Sequence, residues 1–246
     1  MAQIRLDKLL THLNCGSRKE VQALIRARRV TVDGAVVTDP AAKLDPAQSA
    51  VALDGQPQRY SAQRYFMLNK PAGVITANRD ARHDTVLELF PERERRGLFA
   101  VGRLDKDTEG LLIVTDDGAL SHALMSPARH VSKVYEAEVE GGLAPDAADR
   151  FAQGLTLGDG TVCRPAKLTV LETRENGARV RIVLREGKYH QVKRMVAACG
   201  GAVVRLRRVK LGGLALDGGL APGAFRPLGE EEVALLRERG EEIEGG

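Results

Sequence analysis

A carboxylate beside a guanidinium gives this chain its first candidate chemistry. In Gly102-Arg103-Leu104-Asp105-Lys106-Asp107-Thr108-Glu109-Gly110-Leu111-Leu112 the charge is concentrated at the centre, and apolar residues flank it: Leu98, Phe99 and Val101 before, Leu111 to Val114 after. Leu98 to Asp105 reads as a short strand and Lys106 to Gly110 as its exit loop. Side chains two apart on a strand share a face, so Arg103 and Asp105 are expected to point the same way. A nearby cation holds a carboxylate ionised, and an ionised, positioned carboxylate is a candidate nucleophile or base. Spacing alone fits a surface turn with an Arg103–Asp105 ion pair at least as well, because many such pairs are only structural.

The rest of the chain must supply the frame. At 246 residues with 43% hydrophobic content it can bury a core, and 4% aromatic content without Trp makes that core mainly aliphatic. The net charge of +4 says little, but its distribution is uneven. From Arg185 to Lys210 stand eight Lys or Arg (185, 188, 193, 194, 205, 207, 208, 210) against one acid, Glu186, while Glu230 to the end holds seven Glu against Arg237 and Arg239. The basic block, interleaved with Tyr189, His190, Val192 and Met195, suits a polyanion; the acidic end reads as a solvated helix terminus. Cys15, Cys163 and Cys199 lack metal or redox spacing, and five scattered histidines suggest no metal site. No apolar run reaches membrane length and the start lacks a signal-like apolar region, so a soluble cytoplasmic protein is expected.

Leu6, Leu9, Leu10 and Leu13 recur at helical spacing, and Asn14-Cys15-Gly16 stops that helix. Ser17-Arg18-Lys19-Glu20 is a capping box that opens a second helix, with Val21, Leu24 and Ile25 on one face and Arg18, Gln22, Arg26 and, if it extends that far, Arg29 on another. Val30 to Val37 forms a hairpin about Asp33-Gly34. Val51 to Leu53 offers a further strand before the turn at Asp54-Gly55. The expected division is a first domain over 1–55, a linker over 56–64, a second domain over 65–240 and an acidic tail over 241–246. In the second domain Tyr65 to Lys70, Leu111 to Thr115, Lys133 to Val139, Leu168 to Leu171 and Val180 to Leu184 read as strands. Ala119 to Met125 (closed by Ser126-Pro127), Asp146 to Gln153 and Glu230 to Glu238 read as helices. Strands without regular strand–helix alternation argue for an α+β fold around an extended sheet.

Gly-Arg-Leu-Asp-x-x-Thr-x-Gly-Leu-Leu resembles the signature of RNA pseudouridine synthases, and the resemblance extends along nearly the whole chain. The Arg-Leu-Asp-Lys start and Gly-Ser-Arg-Lys-Glu second helix resemble an S4-type RNA-binding domain. That likeness implies phosphate contacts from Arg5, Lys8, Ser17, Arg18, Arg26 and Arg29. Lys70-Pro71 resembles the family's first motif, whose part is mainly structural. The family likeness makes Asp105 the catalytic residue and Tyr135 the aromatic that stacks on the target base. It makes Leu184 the apolar wall of the base pocket and Lys193, more often Arg in related branches, the cation that pairs with the catalytic Asp. Arg103 is a second candidate for that pairing, and Lys188 and Arg194 are candidate RNA contacts. Without the family context, Tyr135 reads as packing and Lys193 and Arg194 as solvated charges.

Tyr-Phe-Met-Leu-Asn-Lys-Pro and Gly-Lys-Tyr-His-Gln-Val-Lys-Arg-Met look most like the branch acting on small-subunit (16S) ribosomal RNA. Relatives acting on large-subunit (23S) RNA share the architecture. The implied fold is a small S4-type domain followed by a catalytic domain on an extended mixed, mainly antiparallel sheet. The implied reaction converts uridine to pseudouridine in ribosomal RNA or an assembly intermediate, by a monomer, with no cofactor and no metal. Two other classes stay open: a non-catalytic RNA-binding assembly factor, and an N-glycosidic hydrolase with Asp107 as its second carboxylate.

Overall fold

The computed structural model describes residues 3–13, 15–46, 48–58, 63–126 and 129–243. The chain divides into two compact units, Met1–Gln63 with Glu92–Gly97, and Arg64–Pro91 with Leu98–Gly246.

In the first unit, helix Leu6–His12 buries Leu6, Leu9 and Leu10 against Val21 and Ile25 of helix Arg18–Arg26. The capping box forms as the sequence implies: Glu20 N–H donates to Ser17 Oγ at 3.4 Å and Ser17 N–H to Glu20 Oε2 at 2.6 Å. Strands Ala35–Val36, Val30–Val32, Val51–Leu53 and Gln56–Gln58 form a sheet in that order. Both of its Asp-Gly turns are left-handed at both residues, with φ of 52° and 82° at Asp33-Gly34 and 50° and 74° at Asp54-Gly55. That is the geometry whose twist matches paired strands. Pairing of Gln56–Gln58 with Val51–Leu53 extends this unit through Gln58, so the linker expected from Gln56 begins later; residues 59–62 of it lie outside the described residues. The expected helix-stop residue Asn14 also lies outside them.

The second unit is a nine-stranded sheet. Its main path runs Lys167–Arg174, Gly177–Leu184, Lys133–Glu140, Ala202–Leu211, Thr108–Thr115, Tyr65–Lys70, Phe225–Pro227. Only Ala202–Leu211 with Thr108–Thr115 pairs in parallel among these neighbours. Successive residues of Thr108–Thr115 enter different cores. Leu112 and Val114 join Tyr135, Phe151, Val192 and Met195, whereas Leu111 and Ile113 join Leu120, Leu124 and Leu236. A strand covered on both faces must be apolar throughout, which explains its unbroken Leu-Leu-Ile-Val run. Helices Ala147–Gln153 and Gln191–Ala198 thus cover one face, and Gly118–Met125 and Glu230–Leu236 the other.

Two expectations are corrected. The strand expected over Leu98 to Asp105 ends at Ala100, and pairing resumes at Thr108, so Lys106 to Gly110 is not wholly an exit loop. Gly102, at φ +71°, turns the chain where a Cβ would lie 2.6 Å from Met125 Sδ. Nor is the acidic end merely solvated. Glu241 accepts from Arg181 at 2.5 Å, its N–H donates to Ser132 Oγ at 2.9 Å, and Ile243 is buried with Val134 and Val183. Residues 244–246 of that tail, and the Pro127 expected to close helix Gly118–Met125, lie outside the described residues.

Candidate active site

The loop that carries Asp105 is tied down by the segment after strand Tyr65–Lys70. Thr76 Oγ1 donates to Leu104 O at 2.8 Å and accepts from Leu104 N–H at 3.1 Å, and Gly73 N–H donates to Lys106 O at 2.8 Å. Lys70 is fully buried, and its ammonium donates to the carbonyls of Pro71 (3.0 Å), Lys106 (3.2 Å) and Thr108 (2.9 Å). Burial pulls its pKa down to about 8 against the opposing pull of Asp107, Asp105 and Glu109. A buried cation with three carbonyl acceptors fits the structural part expected of Lys70. It acts as a clamp that joins both ends of the Asp105 turn to the sheet. Gly110 completes the frame: its φ is +101° and a Cβ there would meet Arg208 O at 2.3 Å, so the motif glycine is what lets strands Thr108–Thr115 and Ala202–Leu211 close up.

Asp105 opens onto a cavity of about 80 Å³ lined by Arg103, Leu104, Thr108, Tyr135, Leu184, Val192 and Leu206, with Gly187, Lys188, His190 and Gln191 at its other side. Tyr135 (8% exposed) and Leu184 (2%) form its apolar wall. Two basic side chains face the carboxylate from helix Gln191–Ala198 and its cap: Lys193 Nζ stands 3.9 Å from Asp105 Oδ2, and His190 Nε2 stands 3.6 Å from Asp105 Oδ1. Lys193 makes its closer contact with Asp107, at 2.5 Å, and that bond holds the Asp107 carboxyl below the usual range. A larger cavity, about 910 Å³, lies among residues 140–148 and 168–178 at the far end of the sheet strands. Its walls hold only Glu140, Arg174 and Glu175 as charged groups and no histidine, cysteine or lysine. Volume is therefore a poorer guide here than the convergence of charged and apolar groups.

Asp105, Tyr135, Leu184 and Lys193, spread over 89 residues of sequence, are brought together. Arg103 lines the cavity but is exposed and forms no ion pair with Asp105 among the described residues. The turn at Gly102 removes the strand geometry on which that pairing was expected, and His190 takes the place beside Asp105. His190 was missed as a site residue. It stands outside helix Gln191–Ala198 as its left-handed cap, so helical periodicity counted from Lys193 does not reach it. Thr76 was also missed, and a single threonine in a loop carries no sequence signal for such a role. Asp107, the second carboxylate of the hydrolase alternative, is engaged by Lys193.

The expected RNA contacts fare unevenly. In the first unit Arg5 (2.8 Å), Arg18 (3.6 Å) and Gln22 (2.9 Å) converge on buried Asp7, and the bond from Arg5 takes its carboxyl down to about 2. Helix Arg18–Arg26 ends before Arg29, which instead forms a two-bond pair with Asp54. Ser17 serves as a helix cap, whereas Lys8 and Arg26 are exposed and unpaired among the described residues. In the basic block Lys188 binds Glu186 (3.4 Å) and the Val162 carbonyl, and Arg194 binds Asp159 (2.5 Å). Arg205 pairs with Glu109, and Arg208 is buried with Nε on Leu111 O at 2.8 Å. Much of the apparent polyanion surface is thus committed internally. Among the described residues no cluster of three or more His, Cys, Asp or Glu could hold a metal ion, and no helix is long and apolar enough to cross a membrane.

Residues 64–198 match a family described as RNA pseudouridylate synthase, and residues 4–49 match the S4 domain. The chain is 46% identical over 235 residues to ribosomal small subunit pseudouridine synthase A of Yersinia pestis, covering 95% of this chain and 98% of that one. The protein of the same description from Escherichia coli K12 is 45% identical, covering 95% of this chain and 100% of that one. A Bacillus subtilis protein described as an uncharacterized RNA pseudouridine synthase is 42% identical, with coverage of 96% and 99%. A solved structure described as a pseudouridylate synthase superimposes with a TM-score of 0.66 at 33% identity, over 95% of this chain and 99% of that one.

Proposed function

Because the chain belongs to the RNA pseudouridylate synthase family, we propose that it isomerises a uridine of small-subunit (16S) ribosomal RNA with Asp105 as its catalytic carboxylate. The observation that carries this reading is the meeting of Asp105, Lys193 and His190 at the mouth of a cavity walled by Tyr135 and Leu184. At about 80 Å³ the cavity is far below the ~300–1,000 Å³ of pockets that enclose whole drug-sized ligands. It is of single-ring scale, which leaves the ribose at the mouth beside Asp105.

The target uridine is presented flipped or from a loop, since a base inside a duplex cannot reach such a pocket. Its ring stacks on Tyr135 and packs on Leu184. The carboxylate acts on the ribose, by attack at C1′ or removal of a sugar proton, and either route requires it ionised; Lys193 and His190 face it for that purpose. The N1–C1′ bond breaks, the uracil turns in its pocket, C5 bonds to C1′ in place of N1, C5 gives its proton to solvent and N1 takes one up. Atoms and electrons balance without a redox partner, nucleotide or metal.

The S4-type unit positions the RNA through exposed cations such as Lys8 and Arg26, the protein works in the cytoplasm as a monomer, and its substrate is the small subunit or an assembly intermediate. Support for the small-subunit branch comes from relatives of that description at 45–46% identity over 95% of the chain.

Tritium release from ribosomal RNA labelled at uridine C5 tests the reading. Wild type is expected to release tritium from small-subunit RNA, while Asp105→Asn releases none yet still binds. Release from large-subunit RNA alone would move the substrate, and release by Asp105→Asn would overturn the role of Asp105.

A further inference from the structure

We propose that Tyr189, stacked on His190 at the mouth of the Asp105 cavity, is a platform for the nucleobase adjacent to the target uridine; this rests on the pseudouridine synthase reading of the same site. Tyr189 is 75% exposed and is the one aromatic among the exposed large apolar side chains of the described residues. Its ring lies on that of His190 with centroids 3.8 Å apart and planes 18° from parallel, so one face is occupied and the other is free. His190 in turn lines the cavity and stands 3.6 Å from Asp105. The stack therefore sets an exposed aromatic face one ring away from the catalytic carboxylate, beside the cavity that takes the target base.

Three features hold the pair in this pose. His190 adopts a left-handed conformation (φ 48°, ψ 33°) as the cap of helix Gln191–Ala198, an arrangement a non-glycine residue keeps only when its surroundings impose it. Arg194 donates to the Tyr189 carbonyl at 3.3 Å. Gln191, buried behind the turn, accepts from Lys188 N–H at 2.9 Å and donates to Glu186 at 2.6 Å. An exposed aromatic kept flat and rigid on a second ring meets a base without first losing its own freedom, and stacking tolerates any base because each has a π-face. The ligand class is a single-stranded nucleotide flanking the modified position.

The test compares wild type, Tyr189→Phe, Tyr189→Leu and Tyr189→Ala on a small-subunit RNA transcript tritiated at uridine C5. Stacking of ordinary strength predicts that Leu and Ala raise KM roughly 5- to 150-fold, with kcat changed less than about threefold. Phe, which keeps the ring, is expected to restore KM to within about twofold of wild type. A wild-type KM in Tyr189→Ala would overturn the proposal. So would a loss confined to kcat, which would place Tyr189 in the support of His190 and Asp105 instead. Thermal melts guard against misfolding, and an exposed ring predicts unchanged melting temperatures.

A second readout needs no turnover. Ultraviolet cross-linking of Asp105→Asn protein to the same RNA should attach a nucleotide to the peptide containing Tyr189. Cross-links elsewhere with none at Tyr189 would overturn the platform. A Tyr189 cross-link together with no tritium release by wild type would instead refute the reaction and leave the platform standing.

Discussion

Replacing Lys193 with Met separates the electrostatic support of Asp105 from the support of the fold. Lys193 Nζ lies 3.9 Å from Asp105 Oδ2 and 2.5 Å from Asp107 Oδ1, with side-chain exposures of 22%, 33% and 71%. Coulomb's law at 3.9 Å gives about 1 kcal/mol for a water-like dielectric and about 4 kcal/mol at an effective value near 20. A third-exposed carboxylate at the edge of a protein cavity sits between those limits, so about 2 kcal/mol is the central expectation, or roughly 30-fold in kcat/KM where the whole of that interaction is felt in the transition state. The isosteric apolar chain of Met keeps the packing, and a partly exposed ion pair contributes only about 0–1 kcal/mol to stability, so the melting temperature should scarcely move. Lys193→Arg is expected to recover part of the loss, because the charge returns in a different shape. Asp107→Asn provides the converse arm. It releases Lys193 from its closer partner while leaving Asp105 its cation, so activity on tritiated small-subunit RNA should stay within about threefold of wild type. If Lys193→Met keeps kcat/KM within twofold, the reasoning fails, and His190 alone must hold the carboxylate. If Asp107→Asn is the more damaging variant, the productive pair is Lys193 with Asp107.

Two further expectations concern the frame. Gly110→Ala would force a Cβ to within 2.3 Å of the Arg208 carbonyl at a φ of +101°, so urea unfolding should show a loss of about 3 kcal/mol or more; a loss under about 1 kcal/mol would mean that the two strands separate easily. Lys70 is protonated up to about pH 8 in the folded protein but up to about 10.5 in the unfolded chain, so between those values the unfolded state binds more protons and stability from this group rises with pH. Lys70→Met should lose that rise and keep the one from Lys133, whose pKa burial also lowers to about 8; equal slopes of urea midpoint against pH in the two proteins would refute the assignment.

The extent to which the sequence exposed this site depended on the range of each interaction. Asp105, Tyr135, Leu184 and Lys193 were all named from motifs, and the structure gathers them about one cavity. Arg103 was placed beside Asp105 by strand periodicity, and periodicity failed because one left-handed glycine ended the strand at Ala100. The fate of the basic block was equally out of reach. Arg194 meets Asp159, Arg205 meets Glu109 and Lys210 meets Glu241 across dozens of residues, so a count of charges overstates what remains for RNA.

What the sequence by itself determined was therefore local. The Ser17 to Glu20 capping box and the two Asp-Gly hairpin turns involve neighbours only, and their geometry follows from which residues tolerate a left-handed backbone or can reach an unpaired N–H. The tertiary structure alone decided that His190 rather than Arg103 joins Lys193 at Asp105, and what clamps its loop. Lys193 and His190 stand beside Asp105 across more than 80 residues, and the Lys70 ammonium reaches carbonyls 36 and 38 residues away. The physical reason is that a side chain's charge and hydrogen-bonding capacity are set by its residue type, but its partner is set by which strands lie side by side.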